Sequence, residues 1–281
     1  MSPYFLFFEL MMYSLLTYSL LHVYRRRGWP GVWQVVAGVL FGVLLEWATI
    51  QQFHAYHYGR FVIMVADEVP LAIGVGWGVI IYAARLFAEA TSLPGWARPF
   101  LAALLALGID LSMDVVAIRL GMWDWGQGLA FHYFGVPWPN FWAWFWVVFF
   151  FSSGLWWLAD GKQGPGQWLG PLAAIVLSVA GVLLTNYIIV YIIPWAWTLA
   201  TVVLLFLGTW VLILSLRPRL IHPLPAPARW TPALFHGYFL LVGLFSGVLL
   251  HPPLLLGLAL CWLGLWWWAE HSLITQRDSG L

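Results

Sequence analysis

The chain has 281 residues, 63% hydrophobic, 19% aromatic and 8% charged, with a net charge of +1 and a mean hydropathy of +0.86. Soluble domains carry about 25% charged residues, so the composition excludes a water-soluble globular protein and marks a polytopic all-α membrane bundle. The near-neutral balance argues against nucleic acid as a partner, and a single cysteine, Cys261, excludes an internal disulfide.

Segment 1, Tyr4–Tyr24, stops at Arg25-Arg26-Arg27-Gly28. Its arginines follow the apolar run, so it reads as a retained helix and not as a cleaved signal peptide. Segment 2, Gly31–Ile50, carries Glu46 near its end. A polar, aromatic connection follows, Gln51 to Arg60, with Phe53, His54, Tyr56, His57 and Tyr58. Phe61–Ala66 is apolar but too short to span, which suits a strand-like or re-entrant piece. Asp67-Glu68-Val69-Pro70 then opens segment 3, Val69–Ala88, since acids and proline are ordinary first-turn residues.

Segment 4, Trp96–Leu120, holds Asp110 and Asp114, and segment 5 is Pro139–Leu158. Segment 6, Leu169–Ile192, is broken by Pro194 from segment 7, Trp195–Leu216. The proline- and arginine-rich stretch Arg217–Arg229 reads as a linker. Segment 8, Ala233–Leu250, is broken at His251-Pro252-Pro253 from segment 9, Leu254–His271, and residues 272–281 form a polar tail. The count is therefore about nine spans, falling to seven or eight if segments 6–7 or 8–9 are broken or re-entrant.

With nine spans, Arg25, Arg26, Arg27, Arg85, Arg98, Lys162, Arg217, Arg219, Arg229 and Arg277 collect on one side, and Arg60 and Arg119 on the other. The positive-inside rule puts the first set in the cytoplasm, with the N-terminus outside and the C-terminus inside the cytoplasmic membrane. Glu46, His54–Arg60, Asp67, Glu68, Asp110, Asp114, Trp123–Trp125 and Asn140 then converge near the outer face. Residues 1–160 read as the working half and 161–281 as supporting.

Residues four apart on a helix share a face, about 5–6 Å between Cβ atoms. A charge at the centre of a membrane helix costs about 2.5–3.5 kcal/mol on insertion scales. Asp110 and Asp114 therefore demand a purpose. Two crowded carboxyls, approached by Glu46, are expected to retain a proton at neutral pH. A neutral acid beside an ionised one is an acid–base pair, and nearby ring faces stabilise a cation by about 0.5–2 kcal/mol each. Such a site suits protonation of a carbon–carbon double bond in a lipid-soluble substrate. It does not suit phosphoryl transfer, which needs metal and basic clamps.

The same residues admit plainer readings. The aspartate pair could be structural or part of an ion path. Glu46 could pair with Arg60 or Arg119. His54 and His57 have metal-like spacing but no third ligand, so interfacial packing is the reading and no metal site is expected. Trp123 and Trp125 could be belt residues. Asp67 and Glu68 read as helix-start charges, and Cys261 as a packing residue. His22, His132, His222, His236, His251 and His271 lie near segment ends, where solvation is the default.

In order, the motifs resemble the membrane carotenoid biosynthesis proteins that include γ-carotene 1′,2′-hydratase and bisanhydrobacterioruberin hydratase. The matching residues are Glu46, then Tyr56-His57-Tyr58, Pro70-Leu71 with Trp77, and Asp110-x-x-x-Asp114. Trp123-Asp124-Trp125 follows, then Gly135-Val136-Pro137, Asn140-Phe141 and Trp144. Val115 stands where the family has proline, and Gln51-Gln52-Phe53-His54 replaces its glycine-rich lead.

The resemblance implies cofactor-independent hydration of the terminal C1,C2 bond of an acyclic carotenoid end group. It implies Asp110, Asp114 and Glu46 as acid and base. Tyr56, Tyr58, Trp77, Trp123, Trp125, Asn140, Phe141 and Trp144 are implied to hold the substrate. Expected partners are a carotenoid or other isoprenoid, membrane lipids, and other carotenoid enzymes or a pigment–protein complex. The rivals are a cyclase that quenches the same cation by proton loss, a proton-coupled transporter, and a non-catalytic pigment-binding or accessory subunit.

Overall fold

The computed structural model describes residues 2–250, 252–261, 263–264 and 267. Seven long helices dominate them: α1 Pro3–Phe53, α2 Leu71–Glu89, α3 Arg98–Ala117, α4 Trp138–Leu158, α5 Gly166–Tyr187, α6 Trp195–Ser215 and α7 Ala226–Phe245. Residues 254–261 are also helical. Among the described residues the strands are two-residue pieces: β1 His57–Tyr58, β2 Met64–Val65, β3 Val69–Pro70 and β4 Trp123–Asp124. The chain is an α-helical membrane protein. Six of the helices, α1 to α6, are long and apolar enough to cross a membrane.

At 51 residues, α1 would be about 76 Å long if straight, far more than a bilayer core of about 30 Å. Gly28 bends it, with φ 64 and ψ −156, a conformation a side chain would block. Pro30 opens the second arm. The arms fold against each other: a Cβ on Gly31 would lie 2.7 Å from Val23 Cγ2. The sequence division into segments 1 and 2 thus corresponds to the two arms.

Small residues set the crossing of α1 and α2. Gly38 and Gly42 on α1 face Gly74 and Gly78 on α2, each pair four apart on its helix. A Cβ on Gly42 would stand 2.6 Å from Trp77 Cβ, and one on Gly74 would stand 2.3 Å from Val43 Cγ2. Without a hydrophobic drive between helices in lipid, such close van der Waals packing supplies the association. The sequence reading passed over this glycine spacing.

α2 and α3 are enclosed by the rest, whereas α5 and α6 present most of their surface outward. That surface is apolar, with Leu204, Val211 and Trp197 exposed, as acyl chains require. At one end of the bundle Arg27 pairs with Glu89 and Asp160, and Arg85 with Asp160. This gathers the bend of α1 with the C-terminal ends of α2 and α4.

Three expectations change. Asp67 and Glu68 are not in a helical first turn. Asp67 has φ 57 and lies, with Glu68, between β2 and β3, which pair Met64↔Pro70 and Val65↔Val69. The helix starts only after Pro70. Segment 8 starts seven residues earlier than expected and ends at Phe245. Pro227 sits in its first turn, where a missing N–H costs nothing, and buried Ala228 and Thr231 draw the stretch into the bundle. Gly247, at φ 79, follows its end. Cys261 is exposed rather than packed. Residues 262, 265–266 and 268–271 of segment 9, with His271, lie outside the described residues, as do His251 and Arg277.

Candidate active site in an aromatic pocket

Two loops build the site wall, and strand alternation explains their motifs. β1 pairs with β4 in the register His57↔Asp124 and Tyr58↔Trp123. Gly59 N extends the ladder to Met122 O at 2.9 Å. Alternate residues of a strand share a face. Tyr56 and Tyr58 therefore turn inward while His57 is exposed, and Trp123 is buried while Asp124 faces out and binds Gly126 N at 2.8 Å. The spacings Tyr-x-Tyr and Trp-x-Trp are two halves of one small sheet.

That sheet closes over Glu46. Tyr56 Oη donates to Glu46 Oε2 at 2.5 Å, Tyr58 Oη to the same oxygen at 2.8 Å, and Trp77 Nε1 to Oε1 at 2.6 Å. Glu46 pairs with neither arginine considered from sequence. Arg60 meets Asp67 at the surface, and Arg119 donates to the carbonyls of Val115 and Phe134. Burial, then the Glu46 charge, pushes both tyrosine hydroxyls well above their usual range, so they stay donors.

Asp110 and Asp114 share a face of α3, as their spacing predicts, and both are buried. Asn140, in the first turn of α4, bridges them: Nδ2 reaches Asp114 Oδ2 at 2.8 Å and Asp110 Oδ2 at 3.1 Å. The Gly-Val-Pro turn delivers it. Gly135 has φ 97, and a Cβ there would meet Ile118 Cδ1 at 2.8 Å. Pro137 and Pro139 then start α4. One amide group serves two carboxyls, so a proton shared by the pair removes the remaining repulsion. Asp110 Oδ1 is buried with no protein partner among the described residues.

These groups meet at a cavity of about 510 Å³. Glu46, Asp114, Asn140, Tyr56, Tyr58, Trp77, Trp123, Trp125 and Trp144 line it. Asp110 and Phe141 do not. Asp110 lies behind Asp114, and Phe141 packs on Tyr133 and Trp138. Rings pack together along the wall in two groups, with the Tyr56 centroid 5.6 Å from Tyr58 and 4.7 Å from Trp125, and Trp77 4.2 Å from Trp144.

The second half of the chain also reaches the cavity. Asn186 on α5, Ile189, Val190 and Tyr191 in the π-helical turn Ile188–Ile192, Trp195 and Phe235 are on its wall. Trp125 Nε1 and Asn186 Oδ1 are buried there without protein partners among the described residues. No role was assigned to Asn186 from sequence alone. A lone amide in an apolar segment followed by a proline break was the available signal. Exposed Tyr191 stacks on Phe53 at 5.8 Å, and both line the cavity.

His236 departs from its expected solvation. It is buried in mid-α7 and shares a 2.9 Å hydrogen bond with Ser112 Oγ. Among the described residues no three His, Cys, Asp or Glu side chains are grouped to hold a metal.

The fold and the site define a helical membrane protein with two buried acids, Glu46 and Asp114, on a ring-lined cavity and a third, Asp110, behind them. The family model described as carotenoid biosynthesis protein matches residues 2–211, and the chain belongs to that family. No curated protein and no solved structure matches the chain.

Proposed function

We propose that the chain hydrates the terminal C1,C2 double bond of an acyclic carotenoid end group without a cofactor. The observation that carries this reading is the meeting of Glu46 and Asp114, from separate helices, on one aromatic cavity. Asp114, sharing a proton with Asp110, protonates C2. The electron pair of the double bond forms the new C–H bond and leaves a tertiary cation at C1. The faces of Tyr56, Tyr58, Trp123 and Trp125 stabilise that cation.

Glu46 accepts three hydrogen bonds, a donor set that suits its ionised form. It takes a proton from the water whose oxygen bonds to C1. Proton exchange through water restores both acids, and no net oxidation occurs. The unpartnered Trp125 Nε1 and Asn186 Oδ1 offer a donor and an acceptor to that water or to the product hydroxyl. The polyene leaves past Phe53 and Tyr191 into lipid. In this reading residues 1–160 carry the chemistry, and Asn186, Tyr191, Trp195 and Phe235 from the second half close the pocket. The arginine-rich end is cytoplasmic by the positive-inside rule.

Expression in a host that makes lycopene or γ-carotene tests the proposal. The expected product is the 1-hydroxy carotenoid, lost with Asp114→Asn. A cyclised product would point to quenching by proton loss instead. Unchanged pigment with stable co-purification of a carotenoid complex would point to an accessory subunit.

A further inference from the structure

A second cavity, of about 620 Å³, opens at the far end of α2 and α4 from the acids. Its walls carry Arg26, Arg27, Arg85, Arg98 and Lys162 against Glu89 and Asp160. Two of the cations are matched internally. Arg27 takes Glu89 at 3.0 Å and Asp160 at 3.1 Å, and Arg85 takes Asp160 at 2.5 Å. Arg26 reaches Glu89 only at 4.0 Å and is exposed. Arg98 spends Nε on Leu93 O and rests over Trp156 at 5.9 Å, and Lys162 is exposed. The cavity therefore holds three positive charges beyond its two carboxylates.

It is also a built well rather than a surface patch. Ser152 lines it, is 3% exposed, and its Oγ has no protein partner among the described residues. Ser152 lies within α4 and Asp160 just beyond its end, so the cavity meets polar groups at both depths. Gln34 and Gln167 add further polar lining. Trp156 and the exposed Ile221 give one side an apolar face, and exposed Trp157 and Trp168 mark the interfacial level. Free phosphate would use the cations but not that face. A phosphodiester with attached acyl chains uses both.

We propose that this cavity binds the phosphodiester headgroup of an anionic phospholipid. Basic pockets between membrane helices recognise such headgroups, and each basic residue contributes roughly a fivefold change in affinity. The site is remote from the acids, so its test is independent of the reaction proposed above.

The full-length protein in neutral detergent is titrated with phosphatidylglycerol, phosphatidylcholine or inorganic phosphate, and binding is read by native mass spectrometry and thermal midpoint. Phosphatidylglycerol is expected to bind at least about tenfold more tightly than phosphatidylcholine and to raise the midpoint. Arg98→Gln and Lys162→Gln should each weaken it about fivefold, salt should weaken it further, and Lys162→Arg should retain it. Lys162 is exposed, so its variants test the idea even if Arg98→Gln misfolds. Equal binding of the two lipids overturns the proposal, as does phosphatidylglycerol binding unchanged by Lys162→Gln. Saturation of the whole response by inorganic phosphate alone, with the same Lys162 dependence, overturns the assignment to lipid.

Discussion

Trp77 Nε1 donates a 2.6 Å hydrogen bond to Glu46 Oε1 across the crossing of α1 and α2. The two residues come from α2 and α1, and the glycines beside them let the backbones approach. Trp77→Phe keeps most of the ring and removes the donor. A hydrogen bond to a charged group contributes about 1.5–3 kcal/mol. The hydroxylated carotenoid yield should therefore fall at least about tenfold, with unchanged protein level in solubilised membranes. Pigment chromatography and immunoblotting check both.

Gly42 tests the crossing itself. A Cβ there would lie 2.6 Å from Trp77 Cβ and 3.0 Å from the Gly74 carbonyl oxygen. Gly42→Ala should lower stability by about 1–3 kcal/mol through overpacking. A thermal midpoint equal to that of the parent protein would show that the helices separate at no cost.

The aspartates should not be equivalent. Asp114 lines the cavity and Asp110 does not. General-acid catalysis contributes about 10²–10⁴-fold. Asp114→Asn should lose at least about a hundredfold in product formation, and Asp110→Asn less. The reverse order would move the proton donor to Asp110.

The tyrosines predict an alkaline limit. Unfolded tyrosine ionises near pH 10. In the fold, burial and Glu46 hold Tyr56 and Tyr58 well above that. A raised folded value favours the native state fully below about pH 10 and loses that stabilisation as pH rises beyond it. Stability should drop between pH 10 and 12, and the drop should shrink in the Tyr56→Phe, Tyr58→Phe double variant. Circular dichroism against pH measures it.

At the opposite end, Arg85 is nearly enclosed and leans on Asp160. Asp160→Asn leaves that guanidinium with only a 4.0 Å approach to Glu89. Stability should fall by about 3 kcal/mol. Lost thermal stability without lost pigment specificity in surviving protein is the expected pattern.

Much of this protein was legible as sequence because a bilayer leaves few choices. Apolar length fixed the first seven segments closely, and a four-residue spacing fixed Asp110 and Asp114 to one face of α3. The basic residues Arg25, Arg26, Arg27, Arg85 and Lys162 announced which segment ends share a side. The alternation in Tyr56-His57-Tyr58 and Trp123-Asp124-Trp125 was visible as motif. Only pairing could show that the two are neighbouring strands, since nothing local matches His57 to Asp124 or Tyr58 to Trp123.

The tertiary structure alone decided that Glu46 is held by two tyrosines and a tryptophan instead of an arginine. It alone placed Asp110 behind Asp114, turned Phe141 off the wall and brought Asn186 onto it. The start of α7 inside a proline-rich stretch was likewise invisible, because proline breaks a helix interior but suits a first turn. Chain periodicity says which way a side chain faces within its own element. What it meets there depends on how helices cross, and here that is set by four glycines whose missing side chains let α1 and α2 touch.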